Sequence, residues 1–176
     1  MVGLRHTGLV PSLLLAVAAW PSTGSAAPNS SWPVGEARRD IALEKAIEAA
    51  RPVDESGVCF AYALADLDGD GRPEVLVHVI DPGWCGSAGC PLCIYRRHGP
   101  ALSKVSCLEL IRGVLLEPHT SKGWRPIVVE KHFGPWRVKG GRGGYPREVD
   151  ETNSKPLGRL PPGARPLEWI TPERCQ

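Results

Sequence analysis

The chain has 176 residues, a formal net charge of +2, 42% hydrophobic and 6% aromatic residues, and six cysteines. A charge this close to neutral gives no electrostatic footprint for nucleic acid or for an anionic membrane surface. The length suits a single domain with a real core, still small enough to gain from covalent crosslinks.

The first element in chain order is a secretory signal. Arg5 and His6 precede an apolar run from Leu9 to Trp20, broken by Pro21 and followed by the small residues Gly24, Ser25 and Ala26. That sequence of regions predicts a signal peptide over residues 1–26, cut after Ala26. The run is too short to anchor the chain, and no later segment reaches the roughly 20 apolar residues a spanning helix needs. Cleavage removes Arg5 and no acidic residue, so the remaining chain carries +1 and inserts in no membrane. The expected location is the periplasm or the extracellular space.

Residues 36–51, EARRDIALEKAIEAAR, place Ile41, Ala42, Ala46, Ile47 and Ala50 on one side with charges between them, and Pro52 ends the pattern. This predicts an amphipathic helix. The period then changes from helical to alternating. CFAYAL sets Phe60, Tyr62 and Leu64 on one face, and EVLVHVI alternates Val75, Val77 and Val79 against Leu76, His78 and Ile80. Two strands joined by an acidic loop follow from that pattern. Further strands are predicted at 92–96, 102–108, 114–117, 127–130 and 136–139, separated by Gly- and Pro-containing turns. The expected fold class is α+β: an N-terminal helix packed on an antiparallel β-meander over residues 27–139, crosslinked by disulfides. Residues 140–176, rich in Gly, Pro and charge, are expected as an irregular C-terminal tail pinned by Trp169 and Cys175.

The acidic loop, DLDGDGRPEVLV, has a definite spacing. Asp66, Asp68 and Asp70 stand at positions 1, 3 and 5, Gly71 at 6, the Arg72 carbonyl at 7 and Glu74 at 9. Alternate carboxylates in a tight loop converge on one point, and hard oxygen donors suit Ca2+. A polar turn alone uses Asp and Gly without needing four carboxylates, whose mutual repulsion opposes folding unless a cation or solvent relieves it. An EF-hand would carry a bidentate Glu at position 12, where this chain has Val77. The motif resembles the calcium loops of FG-GAP repeats, in which the loop links two strands and the ninth residue closes the coordination shell. That resemblance implies ligand roles for Asp66, Asp68, Asp70 and Glu74, with the Arg72 main-chain oxygen as a further donor. The propeller fold does not transfer with the loop, because several blades are required and the motif occurs once. Together with WCGSAGC, the signal peptide and single loop also resemble a group of small bacterial exported proteins of uncharacterised role.

An even number of cysteines in an exported chain favours disulfides. Cys85 and Cys90 enclose a four-residue flexible turn and are expected to pair. A hairpin turn near Pro100 puts Cys93 opposite Cys107, which leaves Cys59 for Cys175. Cys90-Pro-Leu-Cys93 also fits a C-x-x-C redox spacing, but CIYRR continues as a strand rather than opening a helix. Zinc on Cys85, Cys90 and Cys93 lacks a second spaced pair. His78 reads as a core-edge side chain, and His98, His119 and His132 as surface residues. WRVKGGRGGYPR reads as a mobile basic hairpin that lacks the ending of a phosphate loop. Docking of its basic residues to an acidic partner, or an exposed face formed by Trp84, Trp124 and Trp136, are the alternatives.

The leading functional expectation is an exported, noncatalytic calcium-binding module whose ion is structural and which engages a protein partner. An exported enzyme inhibitor or immunity protein that inserts the disulfide loop 84–90 into its target is the alternative. A hydrolase with a catalytic metal on the acidic cluster is the third.

Overall fold

The computed structural model describes residues 38–50, 52–118, 123–141 and 143–176. The predicted signal peptide and His119 lie outside the described residues. The described residues all fall in one compact unit.

The chain forms two antiparallel sheets, one short helix and three disulfides. The helix, α1, spans Ile41–Ala50. It starts later than residue 36 because Asp40 is its cap: the Asp40 side chain accepts from the Leu43 N–H at 3.0 Å, and the Asp40 carbonyl from the Glu44 N–H at 2.9 Å. Its buried face also differs from the predicted one. Leu43, Glu44 and Ile47 are buried, whereas Ile41 is 53% exposed and Ala42 is exposed. Residues 43 and 47 are one turn apart and point together onto the sheet, so counting Ile41 and Ala42 as core rotated the face. Glu44 is tolerated there because Arg39 donates two hydrogen bonds to it, at 3.0 and 2.9 Å.

The first sheet has the order β1 (Phe60–Ala65), β2 (Glu74–Val79), β3 (Cys90–His98), β4 (Ala101–Ile111). Both its faces are covered, which explains why β1 is buried at Phe60, Ala61, Tyr62, Ala63 and Ala65 and exposes only Leu64. One face carries Phe60, Tyr62, Val75, Val77, Cys93 and Tyr95 against Leu43 and Ile47 of α1. The other carries Ala63, Leu76, Leu92, Ile94 and Leu108 into the main core.

That core is shared with a second sheet, ordered β8 (Ser154–Pro156), β7 (Gly134–Val138), β6 (Ile127–Lys131), β5 (Gly113–Leu116), β9 (Arg165–Pro166). Val114, Leu116, Ile127, Val129 and Val138 supply its side. The single predicted meander is therefore two meanders, joined where the chain leaves β4 at Ile111 and enters β5 at Gly113. Leu110 marks the corner with φ 58°, the only non-glycine residue with positive φ among the described residues. Gly89, with φ 127°, sits against this corner, and a Cβ there would lie 2.7 Å from the backbone of Leu110 and Ile111. Strands that pass between packed sheets turn at such bends. Residues 140–176 contribute β8, β9 and a 3₁₀ turn at Glu173–Cys175, and Ile170 forms a backbone bridge with Tyr62 beside β1.

The disulfides are Cys59–Cys175, Cys85–Cys90 and Cys93–Cys107. Cys93 and Cys107 are directly opposed across β3 and β4. The glycine-rich segment after β7 is packed against the core where it is described. Gly140 lies against Trp124, Gly144 against Val105 and Ser106, and the Ser106 hydroxyl donates to the Tyr145 carbonyl at 2.6 Å and accepts from its N–H at 2.9 Å. Close approach, rather than mobility, explains those two glycines.

Loop-closure entropy ranks the crosslinks. Cys59–Cys175 closes a separation of 116 residues and Cys85–Cys90 one of 5. Replacing both members of the first pair by alanine is expected to cost about 2–3 kcal/mol more than doing so for the second. Urea unfolding of the two double variants measures the difference.

Candidate metal centre

The acidic loop connects β1 to β2, closed by the register pair Ala65 and Glu74. Its anchor is Leu67. Alternation along β1 continues through Ala63, Ala65 and Leu67, and all three side chains enter the main core. Leu67 is fully buried, which fixes the second loop position and turns its Asp neighbours outward. Its N–H donates to Glu74 Oε2 at 2.8 Å, and its carbonyl accepts from the Arg125 N–H.

The remaining loop is held by its own carboxylates. Asp66 accepts from the N–H groups of Gly69 at 2.8 Å and Gly71 at 3.2 Å, and Asp68 from Asp70 N–H at 3.1 Å. Asp70 accepts from Arg72 N–H at 2.7 Å. Gly69 and Gly71 have φ of 77° and 84°, the left-handed conformation that the turn requires.

This backbone brings three predicted ligands together. Asp66, Asp68 and Glu74 each offer a carboxylate oxygen within 4.8 Å of the others. Asp70 lies outside that group, its carboxylate turned to the Arg72 N–H. Arg72 itself is exposed.

A fourth side chain, not singled out in the sequence, completes the arrangement. Arg96 on β3 stands one step beyond the Val75–Tyr95 register pair, beside Glu74. Its guanidinium donates to Asp68 Oδ2 and lies 3.6 Å from Glu74 Oε1. Its guanidinium carbon lies over the Trp124 ring, 5.4 Å from the centroid. Trp124 in turn meets Tyr145 edge-on at 5.5 Å, and the Tyr145 hydroxyl donates to the Arg125 carbonyl. The only signal for Arg96 in the sequence is the basic pair in CIYRRH, and its placement depends on strand register.

Glu74 is the buried member, with 2% of its side chain exposed. Burial pushes its carboxyl above the usual carboxylate range, and Asp68 and Asp70 push the same way, against the Leu67 N–H and Arg96. The cluster therefore combines one desolvated carboxylate, two partly exposed ones and a single internal positive charge.

No protein-family model, curated protein or solved structure matches this chain.

The histidines stand apart from the cluster. His78 on β2 bonds the Ile111 carbonyl oxygen through Nε2 at 3.0 Å and lies 5.7 Å from the Trp169 ring. His98 and His132 are exposed.

Two measurements test this geometry without any metal. Glu74→Ala strands the buried Leu67 N–H and is expected to cost about 2–3 kcal/mol in urea unfolding, whereas Glu74→Gln keeps an acceptor and costs less. Burial lowers the His78 imidazole below its ordinary value of 6.5, so the unfolded chain takes up a proton first as pH falls. Stability from this group is lost as pH drops through that ordinary value. The melting temperature is expected to fall from about pH 7.5 to about pH 5, with a shallower slope in His78→Gln.

Proposed function

We propose that the protein is an exported, noncatalytic calcium-binding module whose ion braces the β1–β2 hairpin. The observation that carries this reading is the convergence of Asp66, Asp68 and Glu74, from loop positions 1, 3 and 9, to within 4.8 Å. Oxygens bound to Ca2+ at about 2.3–2.6 Å are separated by no more than about 5 Å, so the spread fits one ion. All donors are hard oxygens, which disfavours zinc and copper. On this reading Asp70 joins the shell by leaving the Arg72 N–H, and the Arg72 main-chain oxygen is a further donor. Three disulfides suit an oxidising compartment, in keeping with a periplasmic or extracellular location. An ion held between two strands of a buried sheet stabilises the fold, and the protein partner, on this reading, meets a surface that the ion keeps rigid.

One observation favours the inhibitor reading as a second. Trp84, 37% exposed, adjoins the crosslinked 85–90 loop and lines a cavity of about 760 Å³ with Pro91, Lys104, Leu110 and Tyr145. Its indole N–H donates to Glu55 at 2.9 Å, so the ring is held in place rather than free to swing. A constrained aromatic suits insertion into a partner cleft.

Calorimetry on the demetallated exported protein separates these readings. The expected dissociation constant lies at about 10⁻⁴–10⁻³ M. At about 10 mM Ca2+ the fold then gains about 1.4–2.7 kcal/mol, roughly 4–10 °C in melting temperature, and Asp68→Ala loses both heat and shift. A protein that takes up no calcium at that concentration and melts unchanged refutes the calcium module and leaves the loop-insertion reading.

A further inference from the structure

Arg96 occupies the electrostatic place of a cation in the loop. Its guanidinium engages Asp68 Oδ2 and faces Glu74 Oε1, oxygens of two of the three carboxylates that converge there. We propose that Arg96 is the resident counter-charge of the loop and that Ca2+ enters by displacing it from Asp68 and Glu74, so that this arginine sets the affinity of the site. The inference rests on the calcium reading above.

Charge and room both support the exchange. Asp66, Asp68 and Glu74 are three carboxylates against the one positive charge of Arg96, so pairing with the arginine leaves an excess of acidic groups for a divalent ion to meet. A guanidinium and Ca2+ cannot share the same oxygens at short range without mutual repulsion. The arginine has somewhere to go. Its side chain is 40% exposed, and it borders an open cavity of about 570 Å³ lined by Asp70, Arg72, Glu74, Arg97 and His98. Its guanidinium carbon also lies over the Trp124 ring, 5.4 Å from the centroid, a contact separate from the two carboxylates. Displacement therefore exchanges two ion-pair contacts while leaving the aromatic one available.

A direct consequence is that the metal-free loop stays shaped, because the arginine already neutralises part of its charge. Each calcium ion bound must then overcome that pairing, which weakens binding relative to the same loop without it.

The test compares calcium binding by calorimetry in the full exported protein and in Arg96→Gln and Arg96→Lys. Arg96→Gln is expected to bind Ca2+ about 3- to 10-fold more tightly, with a lower melting temperature in chelator. Arg96→Lys, which keeps the charge, is expected to bind closer to the unmutated protein. In the unmutated protein the Arg96 side-chain N–H resonance should move and exchange faster with water as calcium saturates, a readout that needs no glutamine variant to fold. Equal or weaker binding by a folded Arg96→Gln, or an unmoved Arg96 resonance at saturation, overturns displacement while leaving the calcium reading standing. No binding heat in any of the three proteins overturns the calcium reading, and displacement with it.

Discussion

The hydrogen bond from the Leu67 N–H to the buried Glu74 carboxylate organises the hairpin on which the site is built. It spans the loop from its second to its ninth position, at the point where β1 ends and β2 begins. A carboxylate with 2% exposure is costly to bury, and the cost is offset only because a backbone donor and Arg96 meet it. With Leu67 fixed in the core on one side and Glu74 on the other, the residues between them have one way to turn. Asp68 lies within that closed turn and Asp66 borders it, and their carboxylate oxygens come within 4.8 Å of each other and of Glu74.

The surrounding packing makes that hairpin stiff. The first sheet is covered by α1 on one face and by the second sheet on the other, so neither β1 nor β2 can tilt without opening a core. The loop is also tied to the segment that leads into β6, through the Arg125 N–H on the Leu67 carbonyl and through Arg96 lying over Trp124. Cation, indole and phenol form a chain of contacts from Asp68 to Tyr145, the two rings meeting edge-on, and the desolvated Tyr145 hydroxyl, whose pKa burial raises well above the usual tyrosine range, ends that chain on a backbone carbonyl. The acidic loop is thus the exposed end of a structure that runs through the domain.

Much of this was legible in the residues. Alternation marked β1 and β2, Gly- and Pro-containing turns set off β3 to β7, and the cysteine pairs followed from proximity, from the hairpin near Pro100 and from elimination. The carboxylates at positions 1, 3 and 9 were visible by spacing alone. What was not visible depends on long-range geometry. The corner between the sheets turns at Leu110, a residue that gives no turn signal, and its reason lies in contact with Gly89, 21 positions earlier. The strands Ser154–Pro156 and Arg165–Pro166 are short and proline-bearing, and they form because a sheet edge is available, not because their residues favour extension. Asp70 fits the motif as well as Asp68 does, yet its side chain turns to the Arg72 N–H, a local choice that spacing does not encode. Arg96 joins the site only through the register between β2 and β3.

The link between Cys59 and Cys175 has a bearing on how the molecule is made. Cys175 lies 116 residues beyond its partner, which immediately precedes β1. A ribosome or a translocation pore delivers the chain from its amino end, so Cys59 emerges among four other thiols long before its proper mate exists. Ile170, which completes the backbone bridge beside Tyr62, arrives equally late. The outer margin of the first sheet is therefore finished only after β1 to β9 have all been made. A Cys175→Ser chain would carry β1 to β9 and the whole acidic loop, yet would leave a lone reactive sulfur beside that margin.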